Sequence, residues 1–243
     1  MVSGAEPADA AARKPEGDQS GRAHPRSVTR PGSARTPAAD RLPTVQAGDW
    51  DARYAERQQW SGEPNPLVAG LVGDLPPGDA VDVAAGEGRH ALWLAGRGWR
   101  ATAVDFSATG LARGRAQPGA GRITWVTADV TRWTAAPASQ DLVLVAYLHL
   151  PEDEMTPLLV RAVEWLRPGG RFLLLGHDLD NLTRGVGGPQ DPAILHSADR
   201  LAPVAALLDV DRLEQVPRET PAGTALDVLL WGRRPARSVG GRR

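Results

Sequence analysis

The chain has 243 residues, 42% of them hydrophobic, and a formal net charge of -1 at pH 7; it can bury one substantial core and carries no overall field that would recruit nucleic acid or a membrane surface. It contains no cysteine, which excludes disulfides, thiolate nucleophiles and cysteine-based zinc sites together and fits a reducing, cytoplasmic setting. No apolar run approaches the roughly 18 residues that a membrane span needs, and the first residues lack the apolar segment of a signal peptide.

Residues 1–46 are rich in Ala, Pro, Gly, Arg and Ser and poor in large apolar side chains. Such a stretch cannot offset the entropy of ordering itself and is expected to be a disordered extension. Glu6, Asp9, Glu16, Asp18 and Asp40 interrupt its basic residues, which argues against a nucleic-acid-binding arm. One domain is expected over 47–234, then a basic flexible tail over 235–243.

Within the domain, "DWDARYAERQQW" and "NPLVAGLVGDL" read as helices, and Pro76, Pro77 and Gly78 break the chain before the strand "AVDVAA". A helix at "RHALWLAG", a strand at "RATAVD", a helix from about Ser107 to Ala116 and a strand at "RITWVT" follow. Next come the strand "DLVLVAYL", a helix over "EDEMTPLLVRAVEWL", a turn at "RPGG" and the strand "RFLLLG". Continuous apolar strands separated by helical patterns imply an α/β fold whose mostly parallel sheet is covered on both faces. "NLTRGVGGPQDP" is too rich in Gly and Pro to be regular. A helix near "ADRLAPVAALL" and two strands, "DRLEQVPRE" and "ALDVLLWGR", would close the sheet as an antiparallel pair.

In an open parallel sheet, ligands bind outside the carboxyl ends of the strands near the point where strand order reverses. Gly86 and Gly88 occupy that place after the first strand, where the absence of side chains allows close approach to the backbone and to the free N–H groups of a helix start. Asp105 ends the second strand, where a carboxylate can accept both hydroxyls of a ribose. "GEGRHA" also satisfies the dinucleotide fingerprint, so a nicotinamide-dependent oxidoreductase is a competitor. Two features oppose it: Asp82 sits inside a strand position that is usually apolar in dinucleotide folds, and only 66 residues follow position 177, too few for a separate substrate domain.

With those residues in place, the sequence resembles the class I S-adenosylmethionine-dependent methyltransferases. "AVDVAAGEGRHALWLAGRGWRATAVDFS" is similar to their first motif and ribose-binding acid, "TADVTRW" to the loop where an acid meets adenine, and "LRPGGRFLLL" to the turn and strand after the fifth helix. The resemblance spans about residues 48–233 and is strongest toward the tellurite-resistance and thiopurine methyltransferase-like small-molecule enzymes, whose loop resembles "AAGEGR" and whose upstream helix resembles "WDARYAERQQW". It implies a single Rossmann-like doubly wound sheet, mostly parallel with an antiparallel C-terminal strand, and S-adenosylmethionine as cofactor. Gly86 and Gly88 would face the methionine part, with Asp82 in the strand that feeds their loop and Ala84 where the family has its first glycine. Asp105 would hold the ribose, Phe106 would lie beside the adenine, Asp129 would accept from its amino group, and Val130 would donate a backbone N–H. Tyr54 and Trp60 would cover the methionine end.

Methyl transfer from a sulfonium needs alignment above all, and a general base only when the acceptor arrives protonated. His149 in "YLHLP", His177 and Asp178 are the candidate catalytic groups near the ends of the fourth and fifth strands. His177, Asp178, Asp180 and His196 match no metal-binding spacing, so no metal is expected. The tetrapeptide of base-methylating enzymes is missing after the fourth strand, and no basic aromatic face points to RNA. The expected partner is a small-molecule acceptor, with neither nucleic acid nor membrane. A non-catalytic S-adenosylmethionine-binding regulator would carry the same loop.

Overall fold

The computed structural model describes residues 47–56 and 62–236; the expectations for residues 1–46, for Trp60 and for most of the 235–243 tail lie outside them. The elements run in chain order as helices α1 (Ala47–Glu56) and α2 (Pro66–Val72), strand β1 (Asp79–Val83), α3 (Arg89–Gly96), β2 (Arg100–Asp105), α4 (Ala108–Arg115), β3 (Thr124–Thr127) and β4 (Gln140–Ala146). They continue with α5 (Glu152–Trp165), β5 (Leu166–His177), α6 (Asn181–Arg184), α7 (Ala198–Ala205), β6 (Asp209–Thr220) and β7 (Gly223–Arg233). Among the described residues no helix is long and apolar enough to cross a membrane.

The seven strands form one sheet in the order β3-β2-β1-β4-β5-β7-β6. The first five pair in parallel, while β7 runs antiparallel to both β5 and β6. The C-terminal pair is therefore inserted in reverse: β7 lies inside, and the later-paired edge is β6. Strand order reverses between β1 and β4, which puts the β1–α3 loop at the switch point.

Period-two alternation sends neighbouring residues into two separate cores. Val81, Val83, Val143, Val145, Phe172, Leu174, Val228 and Leu230 face the side covered by α5 and α7. Ala80, Leu142, Leu144, Leu173, Leu175, Leu229 and Trp231 face the side covered by α2 and α3. Both faces are thus apolar, as the unbroken runs "DLVLVA" and "RFLLL" require.

Two segments depart from the expected elements. "RPGG" turns, yet it stays paired: Gln140 is level with Leu166 and Leu142 with Arg171, so the extra residues bulge. The bulge is held because Gly169 N–H donates to the Arg234 carbonyl at 2.8 Å and Arg234 N–H donates to the Gly170 carbonyl at 2.9 Å. Within "NLTRGVGGPQDP", the first four residues form the single helical turn α6, because Asn181 Oδ1 accepts from Leu226 N–H at 2.7 Å and its Nδ2 donates to the Gly187 carbonyl at 2.8 Å.

Glycine shapes the packing on the α4 side. Trp125 of β3 lies so close to Gly88 and Gly114 that a Cβ at either would sit 2.5 Å from its ring. Gly70, on the exposed side of α2, would meet nothing within 4 Å. The same substitution should therefore have opposite signs in two helices. Gly70→Ala gains about 0.5–1 kcal/mol from lower unfolded-state entropy, whereas Gly114→Ala should lose about 1–3 kcal/mol through overpacking. Urea denaturation of the two variants checks this; a Gly114→Ala protein as stable as the parent would contradict the packing.

Candidate active site

The polar groups that the two apolar faces cannot hold collect at the carboxyl edge of the sheet. Strand order there places Asp129 after β3, Asp105 at the end of β2, the Gly86 loop after β1, Tyr147 after β4 and His177 at the end of β5. Neighbouring strands lie roughly 4.8 Å apart, so the five form one row.

The loop after β1 is held in a left-handed conformation. Ala84, Gly86 and Gly88 have φ of 57°, 58° and 72°, so the position expected to be the family's first glycine has glycine-like backbone with a methyl attached. Gly86 N–H donates to Asp105 Oδ2 at 2.8 Å, and Ser107 N–H donates to Asp105 Oδ1 at 2.8 Å. Asp105 is only 4% exposed, and burial raises its carboxyl above the ordinary carboxylate range. It thus anchors the loop as well as standing where a ribose would reach it. Gly88, also expected to face the methionine part, has a second reason to be glycine, since a Cβ there would meet the Trp125 ring.

Asp82 Oδ2 accepts from Ala91 N–H at 3.1 Å in the first turn of α3, and burial pushes its carboxyl up to about 7. Beside it, burial lowers the Arg89 guanidinium from its ordinary value, while Tyr147, Asp82 and Tyr54 favour its charge. Tyr54 comes from α1 and is 4% exposed; a Cβ on Gly110 would sit 2.9 Å from its ring and 3.3 Å from the Gly86 carbonyl carbon. α1 is fixed there by Asp51, whose Oδ1 accepts from Ser107 Oγ at 2.5 Å and Thr109 N–H at 3.0 Å. Further along the row, Phe106 is half-buried. Asp129 is exposed and accepts from Thr131 N–H at 2.9 Å through Oδ1, and Val130 is buried in the α5-side core.

The three candidate bases separate clearly. His149 Nε2 accepts from His177 N–H at 3.1 Å, and its ring also bonds the Tyr147 backbone; both nitrogens are committed to joining the ends of β4 and β5. Asp178 is buried and accepts from Asp180 N–H and Gln215 Nε2, each at 2.9 Å. His177 alone keeps a nitrogen free: Nδ1 faces Asp227 Oδ1 at 3.3 Å, and no described residue bonds Nε2. His177, His149 and His196 stack ring on ring, with centroids 5.3 and 5.2 Å apart. Among the described residues no group of His, Asp and Glu could hold a metal ion.

Sequence reasoning missed the cluster around Asp227. This carboxylate, 1% exposed, accepts from Tyr147 Oη at 2.7 Å and Arg218 Nε at 2.7 Å. Burial would raise its carboxyl, but the bonds from His177, Arg218 and Tyr147 outweigh that and hold it below the usual range. Tyr147, with φ 59°, also accepts from Asn65 Nδ2 at 3.1 Å, and burial with the adjoining carboxylate raises its phenol. The available signal was an acid inside the apolar run "ALDVLLWGR", the same kind of anomaly that singled out Asp82.

Residues 80–170 match the family model described as a methyltransferase domain. Over 157 residues the chain is 27% identical to a 2-heptyl-1-hydroxyquinolin-4(1H)-one methyltransferase from Mycobacteroides abscessus, covering 62% of this chain and 69% of that protein. Among solved structures it is similar to N-methyltransferase NodS from Bradyrhizobium japonicum bound to S-adenosyl-L-homocysteine, with a TM-score of 0.60 and 16% identity over 78% of this chain and 98% of that one. TehB from Haemophilus influenzae gives a TM-score of 0.61 and 14% identity, covering 76% of this chain and 67% of that one. At such identities the structures bear on the fold alone.

The buried histidines generate an acid-sensitivity prediction. Burial lowers His90 and His149 to about 3 and His196 to about 4, below the unfolded value near 6.5. Their neutral burial stabilises the protein fully above about pH 6.5 and less as pH falls toward 4. Asp82 acts oppositely, since its raised value favours the folded state as pH falls from 7 toward 4. Asp105, also raised by burial, acts with Asp82, and the three histidines against these two carboxyls should leave the protein less stable at pH 5 than at pH 7.5. Urea midpoints at the two values test this, and equal or higher stability at pH 5 would contradict it.

Proposed function

The chain belongs to the class I S-adenosylmethionine-dependent methyltransferases and transfers a methyl group from S-adenosylmethionine to a small-molecule acceptor; on that premise we propose that the acceptor is a heteroaromatic molecule methylated on a hydroxyl oxygen. The likeness to the hydroxyquinolinone methyltransferase supports this substrate class. So does the hydrogen-bonding cluster of Tyr147, His177, Arg218 and Asp227, which suits a polar oxygen better than a purely apolar group.

The residues at the carboxyl edge fit the cofactor in order. Asp105 takes the ribose hydroxyls through the lone pairs its two backbone bonds leave over. Asp129, the Val130 N–H and Phe106 take the adenine, while Gly86 and Ala84 let the backbone approach the methionine portion. Arg89 and Asp82 offer charges for the methionine carboxylate and amino group, and Tyr54 covers that end. The observation that carries this assignment is the Gly86 to Asp105 hydrogen bond, which joins the loop and the ribose acid into one surface. When bound, the cofactor supplies an already activated methyl group, so the chain's task is alignment and proton removal. The lack of a nucleic-acid partner belongs to the same proposal, supported by the near-zero net charge, as does a cytoplasmic setting, supported by a sequence without cysteine.

Calorimetry should show saturable binding of S-adenosyl-L-homocysteine and negligible binding of NADH. Asp105→Ala should weaken the former about ten- to a hundredfold. It should also lower stability, because Gly86 and Ser107 N–H lose their acceptor. The hydroxyl assignment is tested by mass spectrometry with 2-heptyl-1-hydroxyquinolin-4(1H)-one as acceptor, where methylation is expected on the hydroxyl. Equal methylation of 2-heptylquinolin-4(1H)-one, which lacks that hydroxyl, would overturn it.

A further inference from the structure

His177 and Asp227 come from strands that pair directly, with their Cα positions level across the β5–β7 ladder. Both residues fall on the α2 and α3 side of the sheet, the side on which Asn65 bonds Tyr147. The Arg89 guanidinium at the start of α3 and Tyr147 act on each other electrostatically, so the cluster lies near the start of α3.

The imidazole packs against two close neighbours. The His149 ring stacks on it at an interplanar angle of 23°. Gly188, whose φ is 76°, approaches so closely that a Cβ there would sit 2.9 Å from His177 Cγ and Nδ1. Nδ1 is buried without a well-aligned hydrogen bond, but the nearest acceptor is the Asp227 carboxylate at 3.3 Å. Nε2 has no partner among the described residues, and the side chain is 13% exposed.

The other groups in contact exclude themselves as bases. The Tyr147 proton already points at Asp227, and a phenolate beside that carboxylate would be repelled. Arg218 has no lone pair to offer and pairs with Asp227. Asp227 itself is 1% exposed and surrounded by its three donors. His149 is committed at both nitrogens, and Nε2 of His196 lies 2.8 Å from the Leu148 carbonyl.

We propose that His177 is the base for the acceptor hydroxyl and that Asp227, anchored by Tyr147 and Arg218, is its positioning residue. This rests on the hydroxyl-acceptor reading above. Asp227 holds the proton of His177 on Nδ1, which leaves the Nε2 lone pair directed at the acceptor. The acceptor O–H bond breaks, its proton goes to Nε2, and the electron pair stays on oxygen. The oxygen–methyl bond then forms as the sulfur–methyl bond breaks, with that electron pair left on sulfur. The imidazolium faces the Asp227 carboxylate until its proton passes to water. The charged and titratable groups around the ring are Asp227 and Arg218 from β7 and β6, Tyr147 and His149 after β4, and Asp178 and His196 alongside.

Two measurements on the full chain test this. The first is 15N NMR of the imidazole rings with S-adenosyl-L-homocysteine bound. His177 should be protonated at Nδ1 and bare at Nε2 in the parent, and this preference should fall in Asp227→Asn; a parent His177 protonated at Nε2 would overturn the proposal. The second is turnover of 2-heptyl-1-hydroxyquinolin-4(1H)-one. His177→Gln should lower kcat at least a hundredfold at neutral pH and leave the S-adenosyl-L-homocysteine Kd within twofold. It should also remove the acid limb of the pH profile, and the deficit should shrink at high pH, where the hydroxyl ionises without help. A loss confined to KM, or one constant across pH, would reject the base role. If the parent does not methylate the hydroxyquinolinone at all, the acceptor reading fails, while the tautomer measurement still decides the His177–Asp227 pairing.

Discussion

A sheet buried on both faces has nowhere to keep polar chemistry except its edges, and the rest of this molecule follows from that constraint. Val81 and Ala80 point into opposite cores, and the same alternation governs β4, β5 and β7. Side chains that bond water or a ligand must leave the strands at their ends. At the amino edge, Arg167 and Arg100 bond Asp79, and Arg167 also bonds Asp141. These pairs are partly exposed and contribute little beyond holding strand ends together. At the carboxyl edge, Asp82, Asp105 and Asp227 are buried, and Asp82 and Asp105 are linked to backbone N–H groups.

The link between the two halves of that edge is made by short polar contacts. Asp105 fixes the loop after β1 by accepting from Gly86. At the start of α3 the Arg89 charge and Tyr147 act on each other electrostatically, and Tyr147 bonds Asp227. Asn65 ties the same tyrosine to α2, and its own N–H donates to His90 Nε2 at 3.2 Å. These bonds each join different elements, so the edge is cross-linked by its own side chains. Preorganisation of this kind is what an in-line transfer needs, since alignment supplies most of the acceleration.

Much of the fold was legible because local signals coincide with tertiary ones. "RHALWLAG" starts after a glycine and ends at one, and α3 occupies those residues, Arg89–Gly96. "RATAVD" is likewise β2. The bulged pairing of "RPGG" was hidden because it depends on Arg234, which arrives from the far end of the chain. The closeness of Gly88 to Trp125 was also hidden, because it spans elements that sequence spacing does not connect. The Asp227 cluster was hardest to see: residues 147, 177, 218 and 227 meet only because β7 inserts between β5 and β6. His149 and His177 looked equivalent as strand-end histidines, and only hydrogen bonding separates them.

The central claim is that one continuous row, from Asp129 through Asp105 and the Gly86 loop to Tyr147 and His177, forms a single site. A crystal structure of the full chain with S-adenosyl-L-homocysteine and 2-heptyl-1-hydroxyquinolin-4(1H)-one addresses it most directly. The account predicts ribose hydroxyls on Asp105, adenine beside Phe106 and Asp129, and the acceptor oxygen within hydrogen-bond distance of His177 Nε2. A nucleoside seated away from Asp105, or an acceptor oxygen on the far side of the sheet from His177, would contradict it.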